Sequence, residues 1–323
     1  MRVVKFGLIV VLAVIAWLII GCAKNAREGG RRAPSSDQKP RIALVMKSLA
    51  NEFFKTMAEG AERHQQGHSS EYELIVNGIK DELDVNKQVE LVEQMIAQRV
   101  DAIVIAPADS KALVSVCKRA ADAGIIVVNI DNRFDSAALQ EAGLKAPFVG
   151  PDNRKGARMV GEVLGKALEP GDKVAILEGA PNAYNGEQRK LGFEDAMKAA
   201  RIRVAASQTA YWETDKANRI ARDIITAHPD IKGLLCANDS MALGALKAVE
   251  ESGKAGKIAV VGYDNISAAH DLVQEGRLLA TADQHADRLA VYGIEYALEM
   301  LSRRATPKDK ETPVDLITAK SLE

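Results

Sequence analysis

The chain has 323 residues, too many for a typical single core, and an apolar content of 47% is ample for more than one. Basic and acidic residues nearly balance, 43 against 44, but residues 1–40 hold seven of the basic ones and two of the acidic ones. From Arg41 onward 36 basic residues face 42 acidic ones, and a net charge of −6 excludes the basic face that nucleic acid requires.

Arg2 and Lys5 form a basic start, and residues 6–20 are an uncharged apolar run. The run is short for a membrane span and fits the apolar core of a signal peptide. Ile19-Ile20-Gly21-Cys22 follows and resembles a bacterial lipobox, in which cleavage before Cys22 leaves a lipidated N-terminal cysteine. The alternative is an uncleaved anchor helix with an ordinary cysteine; both place the body outside the cytoplasm. Residues 23–40 carry Gly, Arg, Pro, Ser and Asp without an apolar pattern, and read as a disordered tether. Cys117 and Cys236 lie inside apolar segments, one helical and one extended, and read as small buried residues with no disulfide or zinc spacing.

From Arg41 strands and helices alternate. Strands are predicted at 42–45, 72–76, 102–105 and 125–130, with helices from about Glu52, from an Asp84 cap, and over 113–123. In the second of these helices Val85, Val89, Val92 and Ile96 keep helical spacing. After residue 149 the pattern restarts, with helices near 154–168, 186–199, 215–227, 241–251, 266–275 and 286–301. The strands between them are 174–177, 204–209, 234–237, 258–261 and 279–282, and residues 313–317 could add one more. Most strands are continuous apolar runs, so both faces are covered and the sheets are parallel with helices on each side. Two successive βα series of similar size predict two similar doubly wound α/β lobes.

No G-x-G-x-x-G follows a strand, and no P-loop or G-x-S-x-G elbow is present. His64 and His68 are four apart, but Gly67 interrupts their helix and no carboxylate cluster joins them, so they read as surface histidines. No catalytic residue, metal site or cofactor is expected.

Polar and aromatic residues instead gather where strands end, which is where open α/β sheets bind ligands. The run 234–237 ends in Asn238; Asp239 and Ser240 offer N-cap oxygens to the helix that follows. Asn238 can donate and accept at once, as a hydroxyl requires, or it only closes a βα turn. Asn51, Phe53 and Phe54 follow the first strand; Asp131, Asn132 and Arg133 follow the fourth. Further on stand Asn182, Tyr184 and Arg189, then Tyr211 and Trp212, then Tyr263 and Asp264, then Asp283 and Gln284. Carboxylates, amides and Arg bind vicinal hydroxyls, and aromatic faces cover the C–H faces of a sugar ring.

With these residues in view, positions 41 to about 320 resemble the ribose-type periplasmic sugar-binding proteins, the solute receptors of ABC importers, which share their fold with the effector domain of lac-repressor-type regulators. The matching stretches are Asn51-Glu52-Phe53-Phe54, Ile130-Asp131, Arg189-Lys190-Leu191-Gly192-Phe193, the run 237–245 beginning Ala237-Asn238-Asp239-Ser240, Val260-Val261-Gly262-Tyr263-Asp264 and Ala280-Thr281-Ala282-Asp283-Gln284. The resemblance implies that Phe53, Phe54 and Trp212 sandwich the ring. It implies that Asp131, Arg189, Asn238, Asp264 and Gln284 bind hydroxyls, that Asn51 does so or shapes its loop, and that Tyr263 lines the pocket. Asn132 stands where ribose receptors have Arg, with Arg133 one place later, and Ala106 stands where they often have Asn; a hexose, a pentose or a polyol would suit the groups that remain.

The fold expected is two similar doubly wound lobes joined by a hinge of about three crossings near Gly150, Gln284 and Pro313. Residues 41–150 and 285–312 would form the first lobe, and 151–284 and 313–323 the second. The expected function is capture of a monosaccharide between the lobes and delivery to an ABC permease, by a monomer held to the membrane by lipid on Cys22, in the periplasm or at the cell surface. The alternative is a sugar-sensing receptor signalling to a chemoreceptor or kinase. A transcription regulator is disfavoured because a lipobox, not a helix-turn-helix, precedes residue 41, and an enzyme is a distant third.

Overall fold

The computed structural model describes residues 39–303 and 308–322; the lipobox, Cys22, Trp17 and residues 23–38 of the tether lie outside them. The chain alternates strictly at first: β1 (Arg41–Ser48), α1 (Glu52–Gly67), β2 (Glu73–Ile79), α2 (Val85–Ala97), β3 (Ala102–Ile105), α3 (Val114–Asp122), β4 (Ile126–Ile130), α4 (Ser136–Ala142) and β5 (Phe148–Pro151). The second series is α5 (Asn153–Lys166), β6 (Lys173–Glu178), α6 (Tyr184–Ala200), β7 (Arg203–Thr209), α7 (Thr214–Ala227), β8 (Ile231–Cys236), α8 (Asp239–Glu251), β9 (Ala259–Val261), α9 (Ser267–Gln274) and β10 (Thr281–Asp283). α10 (Ala286–Arg303), β11 (Lys310–Thr312), β12 (Asp315–Ile317) and a 3-10 turn (Ala319–Ser321) complete it.

The strands form two main sheets, each the centre of a lobe. The first is six-stranded and parallel, in the order β11-β5-β4-β3-β1-β2. The second is four-stranded and parallel, β7-β6-β8-β9, extended by a Val261–Ala280 bridge. The runs that read as continuously apolar are continuously buried: all four residues of β3, and Gly233 to Cys236 of β8. Both faces of each sheet are covered by helices, which is the layering such runs require. α10 packs on α1, β3 and β4, so the chain returns to the first sheet after β10. It changes sheet between β5 and β6, between β10 and α10, and between β11 and β12.

Two local features differ from the sequence reading. The strand expected at 313–317 is β12 at Asp315–Ile317, antiparallel to β10, and a separate strand before it, β11, pairs parallel with β5. Pro313 separates them, because proline cannot donate to a ladder. Helix α4 is short, has no fully buried residue and so leaves no apolar stripe to read. α1 ends at Gly67, with His68 beyond it as the sequence implies, and the His64 and His68 rings stack with centroids 4.1 Å apart, His64 Nδ1 lying 2.8 Å from Tyr72 Oη. Cys117 and Cys236 are buried free thiols, and burial pushes the Cys117 thiol up to about 12.

Candidate functional site

The carboxyl ends of β1, β4, β6, β8 and the loops after them converge on a cavity between the two sheets. It is lined by Lys47, Asn51, Phe53, Phe54, Glu82, Asp131, Asn185, Arg189, Trp212, Asn238 and Asp264. The cavity volume is about 20 Å3, far below the ~300–1,000 Å3 of drug-sized pockets.

The first-lobe wall starts with Asn51. Its Oδ1 accepts the Phe53 N–H (3.1 Å) and caps α1, while its Nδ2 donates to Glu82 Oε1 (2.8 Å). Phe53 and Phe54, opening the same helix, meet edge to face at 5.2 Å. Asp131 leaves β4 with φ +59°, a strained conformation for an aspartate, and Lys47 Nζ lies 3.3 Å from its Oδ2. Both side chains are almost fully buried. The Lys47 ammonium also stands 5.6 Å from the Phe54 ring and 5.7 Å from the Trp212 ring, within cation–π reach of an aromatic group from each lobe. Desolvation holds the Glu82 carboxyl above the usual range, against the pull of Lys47 and the Asn51 hydrogen bond.

The second-lobe wall centres on Arg189. Its Nε donates to Asn153 Oδ1 (2.8 Å), and Nη1 donates to Ala237 O (2.8 Å) and lies 3.3 Å from Asp264 Oδ1. Its guanidinium rests 3.8 Å from the centre of the Tyr263 ring. Asp264, at φ +123°, also accepts from Gln284 Nε2 (2.7 Å). Burial pushes its carboxyl well up, with Arg189 opposing. Trp212, at φ +69°, is buried, and Gly179 makes room for it: a Cβ there would lie 2.1 Å from the indole. Asn238 is itself the cap of α8, its Oδ1 accepting from Met241 N (2.9 Å). The cap expected of Asp239 is therefore not made; this residue turns inward, accepting from Thr281 Oγ1 (2.8 and 3.0 Å) and Ile266 N (3.1 Å).

Burial raises the Asp239 carboxyl from 3.8 to about 6, against those hydrogen bonds. A folded-state pKa above the unfolded value means the folded protein holds the extra proton, so this group's contribution falls as pH rises from about 4 to 6. Denaturant titrations of the parent and Asp239→Asn across that window should differ in slope, the variant losing the decline.

Eight of the sequence-derived site residues line the cavity: Asn51, Phe53, Phe54, Asp131, Arg189, Trp212, Asn238 and Asp264. Tyr263 and Gln284 stand directly behind, one under Arg189 and the other holding Asp264. Asn132 is buried outside the lining, with Nδ2 donating to Pro107 O (2.9 Å). Arg133 points elsewhere, into a separate groove, pairing with Asp309 (2.8 Å) and stacking on Phe148. Lys47, Glu82 and Asn185 line the cavity and were missed. Lys47 and Glu82 follow apolar runs as ordinary-looking charges, but the strand-end rule that picked out Asp131 applies to them equally.

A cavity between the carboxyl ends of two parallel sheets, joined by three chain crossings and walled by polar and aromatic groups from both, defines a two-lobed small-molecule receptor. The chain belongs to the periplasmic binding protein family: that family's domain matches residues 42–305. It is 56% identical over 286 residues to the D-ribose/D-allose-binding protein of Pseudomonas aeruginosa, covering 87% of this chain and 90% of that one. It is 33% identical to the D-allose-binding periplasmic protein of Escherichia coli, over 85% and 89% of the two chains. Among solved structures, an ABC transporter solute-binding protein from Actinobacillus succinogenes with bound D-allose superposes with a TM-score of 0.82 at 39% identity, over 88% of this chain and 99% of that one. One from Burkholderia multivorans gives 0.85 at 55% identity, over 87% and 100%.

Proposed function

We propose that this protein captures a neutral monosaccharide between its lobes and hands it to an ABC permease. The observation that carries this reading is a pair of unfilled acceptors facing one small cavity. Asp131 Oδ2 from the first lobe has the Lys47 ammonium 3.3 Å away as an ion pair but accepts no hydrogen bond, and Asn185 Oδ1 from the second accepts none either; both are buried. Buried acceptors left unmet cost free energy, and hydroxyl donors would meet them. Three carboxyl groups (Glu82, Asp131, Asp264) against two cations (Lys47, Arg189) leave no surplus positive charge for an acidic sugar. Relatives named for ribose and allose, and a structural neighbour holding D-allose, support the same class.

In this reading residues 41–150 and 285–312 form the first lobe and 151–284 and 313–323 the second, and the protein is a monomer. Closure is driven by a ligand that touches both lobes, since only differential affinity for the closed state shifts the equilibrium. A thermal-shift screen over pentoses, hexoses, polyols, glucuronate and ribose 5-phosphate tests it. D-allose or D-ribose should raise the unfolding midpoint, because a ligand bound only by the folded state stabilises it by mass action. Stabilisation by the two acidic compounds alone would overturn it.

We further propose that lipid on Cys22 anchors the protein to the membrane. Mass spectrometry of the native N-terminus should find a modified Cys22; an uncleaved Met1 would refute the anchor.

A further inference from the structure

Helix α6 carries Arg189 into the sugar site, yet it starts badly. Its N-cap is Ala183, which offers no side-chain hydrogen bond, and alanine ranks far below Ser, Thr, Asp or Asn there. The first N–H groups of a helix have no partner within it and need one from elsewhere. Here it comes from the other lobe. The Tyr184 N–H donates to Ser110 Oγ (3.0 Å) and the Asn185 N–H to Asn132 Oδ1 (3.1 Å).

Both acceptors are held ready inside the first lobe. Asn132 is fixed through Nδ2 to Pro107 O (2.9 Å), Ser110 Oγ lies 3.3 Å from Asn132 Oδ1, and Ser110 O accepts from Asp135 N (2.8 Å). Beside them the Ser110 N–H donates to Asn182 O (3.0 Å), and Asn182 Nδ2 donates to Asp109 Oδ2 (2.9 Å). Asp109 keeps its other oxygen for the Lys111 and Ala112 amides of its own turn. These groups touch no wall of the sugar cavity except through Asn185.

We propose that lobe closure is latched by capping of α6 in trans: Ser110 and Asn132 of the first lobe serve as the N-cap that Ala183 lacks, and opening the lobes uncaps the helix that holds Arg189. This rests on the sugar-capture reading above. It makes Ser110, Asn132 and Asn182 positioning residues for a ligand they do not touch. It also gives Asn132 a use where the sequence pattern alone suggested a sugar contact.

The test uses calorimetry with D-allose and D-ribose on the parent, Ser110→Ala and Ala183→Ser. Losing one cross-lobe hydrogen bond should weaken binding about five-fold. Because the latch does not touch the sugar, the factor should be the same for both sugars; a contact residue would change their ratio. Ala183→Ser supplies α6 with its own cap, so it should raise the unfolding midpoint of the unliganded protein by about 2 °C while weakening binding. Those opposite signs in one variant separate a latch from a merely structural cap, for which binding would not change. Binding by the parent with unchanged affinity in both variants overturns the latch. Failure of the parent to bind any sugar overturns the function instead. The latch is then read from hydrogen exchange at the Tyr184 and Asn185 amides, which should be faster in Ser110→Ala than in the parent; equal rates overturn it.

Discussion

Asp264→Ala should weaken sugar binding by about 2–5 kcal/mol, or roughly thirty- to several-thousand-fold in Kd, with the fold intact. The carboxylate is buried and held by Gln284 Nε2 at 2.7 Å and by Arg189 at 3.3 Å. Removing it leaves the Arg189 charge short of a partner in a dry site, which is the expensive half of breaking a buried pair. Arg189 itself stays anchored by Asn153 and Ala237 O and stacked on Tyr263, so the wall should not collapse. Asp264→Asn, which keeps shape and loses charge, should fall between parent and alanine. Calorimetry gives the affinity, and a thermal midpoint near the parent's shows that the variant is folded. A folded Asp264→Ala with unchanged affinity would remove Asp264 from the site.

The fold was legible because its signals are strong and repeated. The sheets run through uninterrupted apolar strands, and the Asp84 cap accepts from Lys87 N as a helix start requires. Register was out of reach: nothing local says that β11 joins β5 at one sheet edge while β12, three residues on, turns antiparallel to β10. The site was legible wherever an unusual residue type stood at a strand end, as with Trp212 or Asp131. It was illegible where the type was ordinary. Lys47, next to last in β1, carries an ammonium of the kind exposed strand ends carry, and only the packing of Phe54, Asp131 and Trp212 around it gives it a place in the cavity. Glu82 depends on the reach of Asn51 from the β1–α1 loop to the β2–α2 loop. Asn132 and Arg133 show the converse. Adjacent in sequence to Asp131, they follow a left-handed residue that turns the chain away, one toward Ser110 and the other toward Asp309.

Trp212 carries the other large effect. It is the single tryptophan among the described residues; the chain's second, Trp17, lies in the segment read as a signal peptide. Its indole lines the cavity from the second lobe as Phe54 does from the first, and the Lys47 ammonium stands within about 6 Å of both rings. A sugar ring seated on the indole would take the space the ammonium now shares, and Lys47 would move toward a hydroxyl or toward Asp131. Indole emission responds to a nearby cation, so adding D-allose or D-ribose should change it, saturating at the Kd found by calorimetry. Trp212→Ala should abolish that change and cost at least about 2 kcal/mol in binding, the scale of a central aromatic anchor. It would also leave a void beside Gly179, a position kept free of a side chain to admit the indole. Trp212→Phe should retain most of the affinity, because a flat face survives, while losing the emission signal. A sugar bound tightly by the parent and equally tightly by Trp212→Ala would show that the ring packs in the second lobe without meeting the ligand.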